Sequence, residues 1–252
     1  MSTAKRYFLD VSYKGTRYHG WQIQANSYTV QQALEASLST YFRLPMAVMG
    51  SGRTDTGVHA IMQICHFEWD GAIEIDKFLR SINGILPDDI SINSIREVKP
   101  EAHARFSARK RSYVYRLILQ KNPFLDELVW RHYFDPNIER MNLAAGALLR
   151  HNDFECFSKV RTEVKHFRCE IKTAYWEQKD GELVFHITAN RFLRGMVRAI
   201  VGTLLEVGLG KKEAEDMDQI IESKDRTNAG RSAPAKGLYL SRIEYSEDIY
   251  LD

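Results

Sequence analysis

Residues 49–60 read MGSGRTDTGVHA. One guanidinium, Arg53, and one carboxylate, Asp55, stand two residues apart among Gly50, Gly52 and Gly57. A lone carboxylate can work as a nucleophile or a general base. A guanidinium beside it favours its ionised form and can grip it through two parallel hydrogen bonds. Glycines let a ligand come close to the backbone, and loops on a rigid scaffold are frequent seats of catalysis. The plainer reading is a turn with a surface ion pair, and the residues alone leave both open. Other chemistries lack their marks. There is no GxSxG for a serine nucleophile and no GxxxxGK[ST] for a phosphate cradle. The eight histidines show no HxxxH-type spacing, so no metal site is expected. Cys65, Cys156 and Cys169 are odd in number and form no CxxC, which points to buried, reduced thiols in a cytoplasmic protein.

Two basic tracts and a mixed one accompany this segment. From His103 to Arg116 the chain reads HARFSARKRSYVYR, with Arg105, Arg109, Lys110, Arg111 and Arg116 and no acid. Phe106, Tyr113 and Tyr115 interleave with them. Cations neutralise phosphates and aromatic faces stack on unpaired bases, although a solvated basic edge strand needs no ligand. Arg191, Arg194 and Arg198 recur at spacings of three and four. On a helix they make one stripe opposite Leu193, Met196, Val197, Ile200 and Leu204. Like charges so spaced repel weakly, which suggests an anionic partner or a buried carboxylate. Lys14–Trp21, KGTRYHGW, offers Arg17 and His19 as further RNA contacts or is simply a turn. The formal net charge of +2 is too small to indicate a nucleic-acid partner, so these clusters must carry that reading.

The elements that must position these residues are legible in part. Residues 6–13 read as a strand with apolar character on both faces. Thr29 with Gln32 fits a capping box, and Val30, Leu34, Leu38 and Phe42 follow at helical spacing until Pro45. A strand is expected over 63–69, a helix capped by Asp76 and ending near Gly84 and Pro87, and a strand over 90–98. The second half gives a strand over 112–119 and a helix over 142–150. Strands over 173–176 and 183–188 flank a Lys179-Asp180-Gly181 turn. Helices over 192–207 and 211–223 and a last strand over 238–245 follow. With 252 residues, 44% hydrophobic and 27% charged, the chain has ample core for one or two α+β domains. Lys99-Pro100-Glu101 is the expected boundary, giving halves 1–100 and 101–252. No run reaches the length of a membrane span or a signal h-region.

MGSGRTDTGVHA resembles the GRTD-x-GVHA signature of the TruA family of tRNA pseudouridine synthases. Further blocks follow in that family's order. YHGWQIQ (18–24) is similar to YxGWQxQ, LPDDI (86–90) to LPxDI, HARFSA (103–108) to HARFSA with tyrosines after it, MVRAIVG (196–202) to MVRxIVG, and GLYL (237–240) to GLYL. The likeness spans nearly the whole chain. It implies two similar ferredoxin-like halves sharing one continuous, mixed, mainly antiparallel sheet, with helices on one face and a basic cleft between. It implies Asp55 as the catalytic aspartate, Arg53 as the arginine beside it, Tyr113 as the tyrosine that stacks on the target base, and Arg198 as the arginine that pairs with the aspartate. Arg17, His19, Arg105, Arg109, Arg111, Arg191 and Arg194 are the accompanying candidates for RNA contact. The implied activity is isomerisation of uridine to pseudouridine at positions 38 to 40 of the tRNA anticodon stem-loop, by a cytoplasmic homodimer without metal or cofactor. Thr56 stands where that family often has alanine, and Arg194-Gly195 where histidine is common; neither belongs to the implied catalytic set. A catalytically idle RNA-binding protein and an N-glycoside hydrolase using Asp55 are the rival readings.

Overall fold

The apolar and polar alternation of KRYFLDVSY builds β1 (Lys5–Tyr13), the first strand of a computed structural model that describes residues 4–159 and 165–251. In chain order there follow α1 (Val30–Phe42), β2 (Met49–Gly50), β3 (His59–Trp69), α2 (Ile75–Ile85), β4 (Ile90–Val98), β5 (Lys110–Ile118), β6 (Trp130–Arg131) and α3 (Ile138–Ala145). Then come β7 (Ile171–Lys179), β8 (Glu182–Ala189), α4 (Met196–Gly208), α5 (Asp216–Glu222) and β9 (Leu238–Glu244). Nine strands and five α-helices among the described residues make an α+β chain with mixed strand pairing, as expected. None of these helices is long and apolar enough to cross a membrane.

The chain divides into two compact units, 1–109 with 240–252, and 110–239. In the first, β1 lies between β4 and β3 and is antiparallel to both. β9 follows on the far side of β3, and β2 pairs with β3. Leu9 and Val11 are fully buried. Tyr7 on the same face stacks on Phe67, which meets Phe42 of α1, which in turn stacks on Phe78 of α2. That aromatic chain fastens both helices to the sheet. Thr29 caps α1, its side chain accepting from the Gln32 amide. Asp76 does not cap α2: Glu74 does, accepting from the Lys77 amide, and Asp76 sits in the first turn, where its charge still suits the helix dipole.

In the second unit, β8 lies between β5 and β7, antiparallel to both, and β6 runs parallel beside β5. The β7–β8 hairpin turns at Asp180 (φ 52°) and Gly181 (φ 78°), two positive angles that match the twist of the flanking strands. Two helical expectations fail. The helix expected from Phe192 begins only at Met196, because Gly195 is left-handed at φ 73° and precludes a continuous helix through 191–198. The arginine stripe therefore does not exist as one helical face. Eleven of the thirteen α4 residues are buried, so α4 is a core helix. The helix expected over 211–223 is shorter, with Asp216 closing a turn onto the Glu213 amide before α5 starts.

Candidate active site

Asp55 lies half-buried in the loop between β2 and β3. That loop is pinned from several sides. At its entrance, α1 brackets Val48: the Gln31 side chain donates to the Val48 carbonyl (3.0 Å) and the Val48 amide donates to Glu35 Oε1 (3.0 Å). The buried Ser51 donates its amide to the Ile64 carbonyl (2.7 Å) and its hydroxyl to Gln63 Oε1 (2.6 Å). Gln63 Nε2 returns to the Gly52 carbonyl (2.9 Å). Tyr13 and Thr54 share a side-chain hydrogen bond of 2.8 Å. The YHGW block closes the other side. Trp21 donates to the Thr54 carbonyl (3.4 Å), and the Gly57 amide donates to the Tyr18 carbonyl (3.3 Å). Gly20 has no alternative there, since a Cβ would stand 2.2 Å from the Thr54 oxygen. The Val58 amide then donates to the Asp55 carbonyl (3.1 Å), closing a turn on the carboxylate residue itself. The arrangement can hold a carboxylate at a fixed backbone position, as covalent or general-base catalysis requires.

Arg53 is exposed, and among the described residues it makes no hydrogen bond or ion pair. The expected grip on its neighbour Asp55 is thus not formed. Arg17 is two-thirds exposed and bound to Asp89, its Nε 2.7 Å from Oδ2. His19 is exposed, with its amide on the Tyr28 carbonyl. Arg105 and Arg109 are exposed on the following basic tract. That tract is braced by His66, whose Nδ1 accepts from the Ala104 amide (3.1 Å), and by the Tyr245 hydroxyl, which donates to the Ala104 carbonyl (2.6 Å). Burial, with the charge of Arg6 and the neighbouring His103, pushes the His66 pKa down to about 4, so it stands ready as a neutral acceptor.

In the second unit, Tyr113 and Tyr115 share one face of β5. Tyr113 is half-buried and meets Phe192 edge-to-face at 5.1 Å. Tyr115 is fully buried and donates to the Pro234 carbonyl (2.8 Å). Arg198, half-buried on the first turn of α4, donates from Nε to the Ala233 carbonyl (2.6 Å), while the Ala233 amide returns to the Arg198 carbonyl (2.9 Å). Its charge is felt at the Tyr115 hydroxyl, whose pKa burial nonetheless drives upward. The segment 226–236, for which the sequence suggests no element, therefore helps to hold Arg198 through Ala233. Its Gly230 and Pro234 were the available signal. Arg191 and Arg194 precede the helix; Arg191 lies 3.2 Å from His166 Nε2, and Arg194 is exposed with its carbonyl on the Lys159 amide. Arg111 donates to the Asn190 carbonyl (3.1 Å). Arg116 forks onto Glu182 (2.7 and 2.6 Å), so it leaves the basic cluster read from the sequence.

Residues 11–107 and 144–246 match the model of a family described as tRNA pseudouridine synthase. The chain belongs to the tRNA pseudouridine synthase family. Proteins called tRNA pseudouridine synthase A are similar over nearly their whole length. One from Bacteroides thetaiotaomicron is 47% identical, over 98% of this chain and 93% of its own. One from Porphyromonas gingivalis is 48% identical, over 98% and 99%. One from Anoxybacillus flavithermus is 40% identical, over 96% and 99%. As a member of the tRNA pseudouridine synthase family the chain is an isomerase. Asp55, Arg53, Arg17, His19, Arg105, Arg191, Arg194 and Arg198 all lie within the matched residues, whereas Tyr113, Arg109 and Arg111 fall in the intervening stretch 108–143.

Proposed function

We propose that this chain converts uridine to pseudouridine in tRNA, at positions 38 to 40 of the anticodon stem-loop, with Asp55 starting the reaction. The observation that carries this is the half-buried Asp55 in a loop pinned by Ser51, Gln63, Tyr13, Tyr18 and Trp21, within a family match on both sides of it. In the reaction the N1–C1′ bond breaks, the base turns over, C5 bonds to C1′, C5 loses its proton and N1 gains one. Nothing is oxidised or reduced. One carboxylate can begin it by attacking C1′, as in the covalent step of a retaining glycosidase, by adding to C6, or by taking a sugar proton to give a glycal. Arg53 and Arg198 complete the catalytic set, and Tyr113 stacks on the detached base. Turning the uridine out of a stacked stem costs about a few kcal/mol. Phosphate contacts from Arg17, His19, Arg105, Arg109, Arg111, Arg191 and Arg194 offset that cost. The enzyme acts in the cytoplasm as a homodimer.

The test is incubation with an unmodified tRNA transcript in chelator, with pseudouridine measured at each position. Wild type forms pseudouridine at 38 to 40 and Asp55→Asn forms none. Release of free uracil would make the protein an N-glycoside hydrolase. Tight tRNA binding without product would make it an RNA-binding protein.

A further inference from the structure

Asp89 has a place in the fold that the LPDDI block alone does not explain. Pro87 ends α2, with Leu86 before it in the extended conformation that a following proline requires. The Ile90 amide closes a turn onto the Pro87 carbonyl (2.9 Å), and β4 starts at Ile90 opposite Tyr13 of β1. That register sets Asp89 against the chain leaving β1. The Lys14 amide donates to the Asp89 carbonyl (2.9 Å). The Asp89 carboxylate accepts from the Tyr18 hydroxyl at Oδ1 (2.6 Å) and from Arg17 Nε at Oδ2 (2.7 Å). Between those contacts lies one turn of 3-10 helix, Gly15–Arg17. One residue thus clasps that turn at both ends.

The clasped turn is what the aspartate loop rests on. A Cβ at Gly15 would lie 2.0 Å from the Val58 carbonyl oxygen, and the Gly15 amide donates to His59 Nδ1 (3.0 Å). The Tyr18 carbonyl receives the Gly57 amide, and Trp21, three residues on, donates to Thr54. The turn and Tyr18 thus bear on residues 57–59, which follow Asp55, while the Trp21 amide, beyond the turn, holds Thr54 on the other side. Tyr18 is 2% exposed, so its hydroxyl serves the protein interior.

We propose that Asp89 is a positioning residue for the reaction: through Tyr18 and the 15–17 turn it fixes the backbone that carries Asp55. The inference rests on the reading of Asp55 given above. Burial alone would raise the Asp89 pKa, but the hydrogen bonds from Arg17 and Tyr18 outweigh it and hold the group below the usual carboxylate value. The same two hydrogen bonds that lower its pKa are the ones that hold the turn.

The experiment measures single-turnover pseudouridine formation on saturating unmodified tRNA transcript, tRNA affinity and thermal midpoint. The variants are Asp89→Ala, Asp89→Asn, Tyr18→Phe, the double Asp89→Ala/Tyr18→Phe, and Arg17→Ala as the comparison for lost phosphate contact. Asp89→Ala and Tyr18→Phe slow the single turnover roughly tenfold or more, with tRNA affinity near that of wild type. The double variant is no slower than the slower single, because both remove the same support. Asp89→Asn keeps an acceptor for the Tyr18 hydroxyl and recovers part of the rate. An unchanged rate in Asp89→Ala, additive effects, or a loss confined to affinity and equal to that of Arg17→Ala would overturn the proposal. If Asp89→Ala does not fold, Asp89→Asn and Tyr18→Phe decide it on the same criteria. Full activity in Asp55→Asn would remove the reading of Asp55 but leave the Asp89 comparison against wild type standing, so the two failures are separable.

Discussion

The two glycines that flank Ser51 do different work. A Cβ at Gly50 would stand 2.3 Å from Trp21 Nε1, so Gly50 is required by packing against the indole. A Cβ at Gly52 would meet nothing within 4 Å, and its carbonyl is already held by Gln63. No protein neighbour demands a glycine at 52, and a side chain there would fill open space beside the Asp55 loop where a substrate backbone could approach. Gly52→Ala should change stability by no more than about 0.5 kcal/mol yet lower kcat/KM for tRNA by about tenfold, or 1.4 kcal/mol. Gly50→Ala should instead lose about 1–3 kcal/mol of stability through overpacking. Denaturant unfolding beside tRNA kinetics checks both. A Gly52→Ala variant with full activity would return Gly52 to the status of an ordinary loop glycine.

Elements carry the residues only if their ends are held. The basic tract after β4 depends on His66 staying neutral to accept the Ala104 amide. Its pKa, lowered to about 4, lies below the value of about 6.5 in an unfolded chain. The unfolded state thus binds more protons across that interval. Stability conferred by His66 is complete above about pH 6.5, declines as pH falls toward 4, and is flat below, with a total of roughly 3 kcal/mol. Burial lowers His103 in the same direction. Thermal midpoints measured from pH 8 to pH 4 should show this decline, and His66→Gln should remove most of it. At α4, Gly195→Ala would put a side chain at φ 73° and cost about 1 kcal/mol. It would also disturb the start of the helix that bears Arg198, so activity should fall more than stability.

Across the whole molecule, the formal charge of +2 conceals an uneven exposure of the cations. Arg116 is committed to Glu182, and Arg140 to Glu213, whereas Arg53, Arg105 and Arg109 are exposed. Affinity for tRNA should therefore fall steeply with salt, and Arg105→Ala and Arg109→Ala should each reduce the slope of log K against log salt by about one. Arg116→Ala should leave the slope unchanged and act on stability alone. The three cysteines report on the core. Cys65, Cys156 and Cys169 are buried and free. Burial raises all three thiol pKa values, that of Cys156 to about 12 and that of Cys169 to about 11. A thiol reagent at pH 8 should label none of them in the native protein and all three in denaturant, at the rate of unfolding.

What could be read without coordinates was whatever local chemistry specifies. Thr29 caps α1 through a contact three residues away, Asp180-Gly181 turns the β7–β8 hairpin, and β4 occupies residues 90–98 as its pattern indicates. The aspartate motif and the family likeness were also visible, because both are strings of neighbouring residues. The charge clusters were not legible in the same way. Sequence spacing made Arg116 a member of a basic tract, but Glu182, 66 residues on, neutralises it. Helical spacing made a stripe of Arg191, Arg194 and Arg198, but the left-handed Gly195 splits it. Residues 14–21 read as RNA contacts or simply a turn, but Asp89, 72 residues from Arg17, closes on that turn. For Arg116 and Arg17 the deciding partner comes from a distant part of the chain, and only the packing of strands and helices brings a charge and its counter-charge within hydrogen-bonding distance; for the stripe it is a local backbone angle that spacing alone does not reveal.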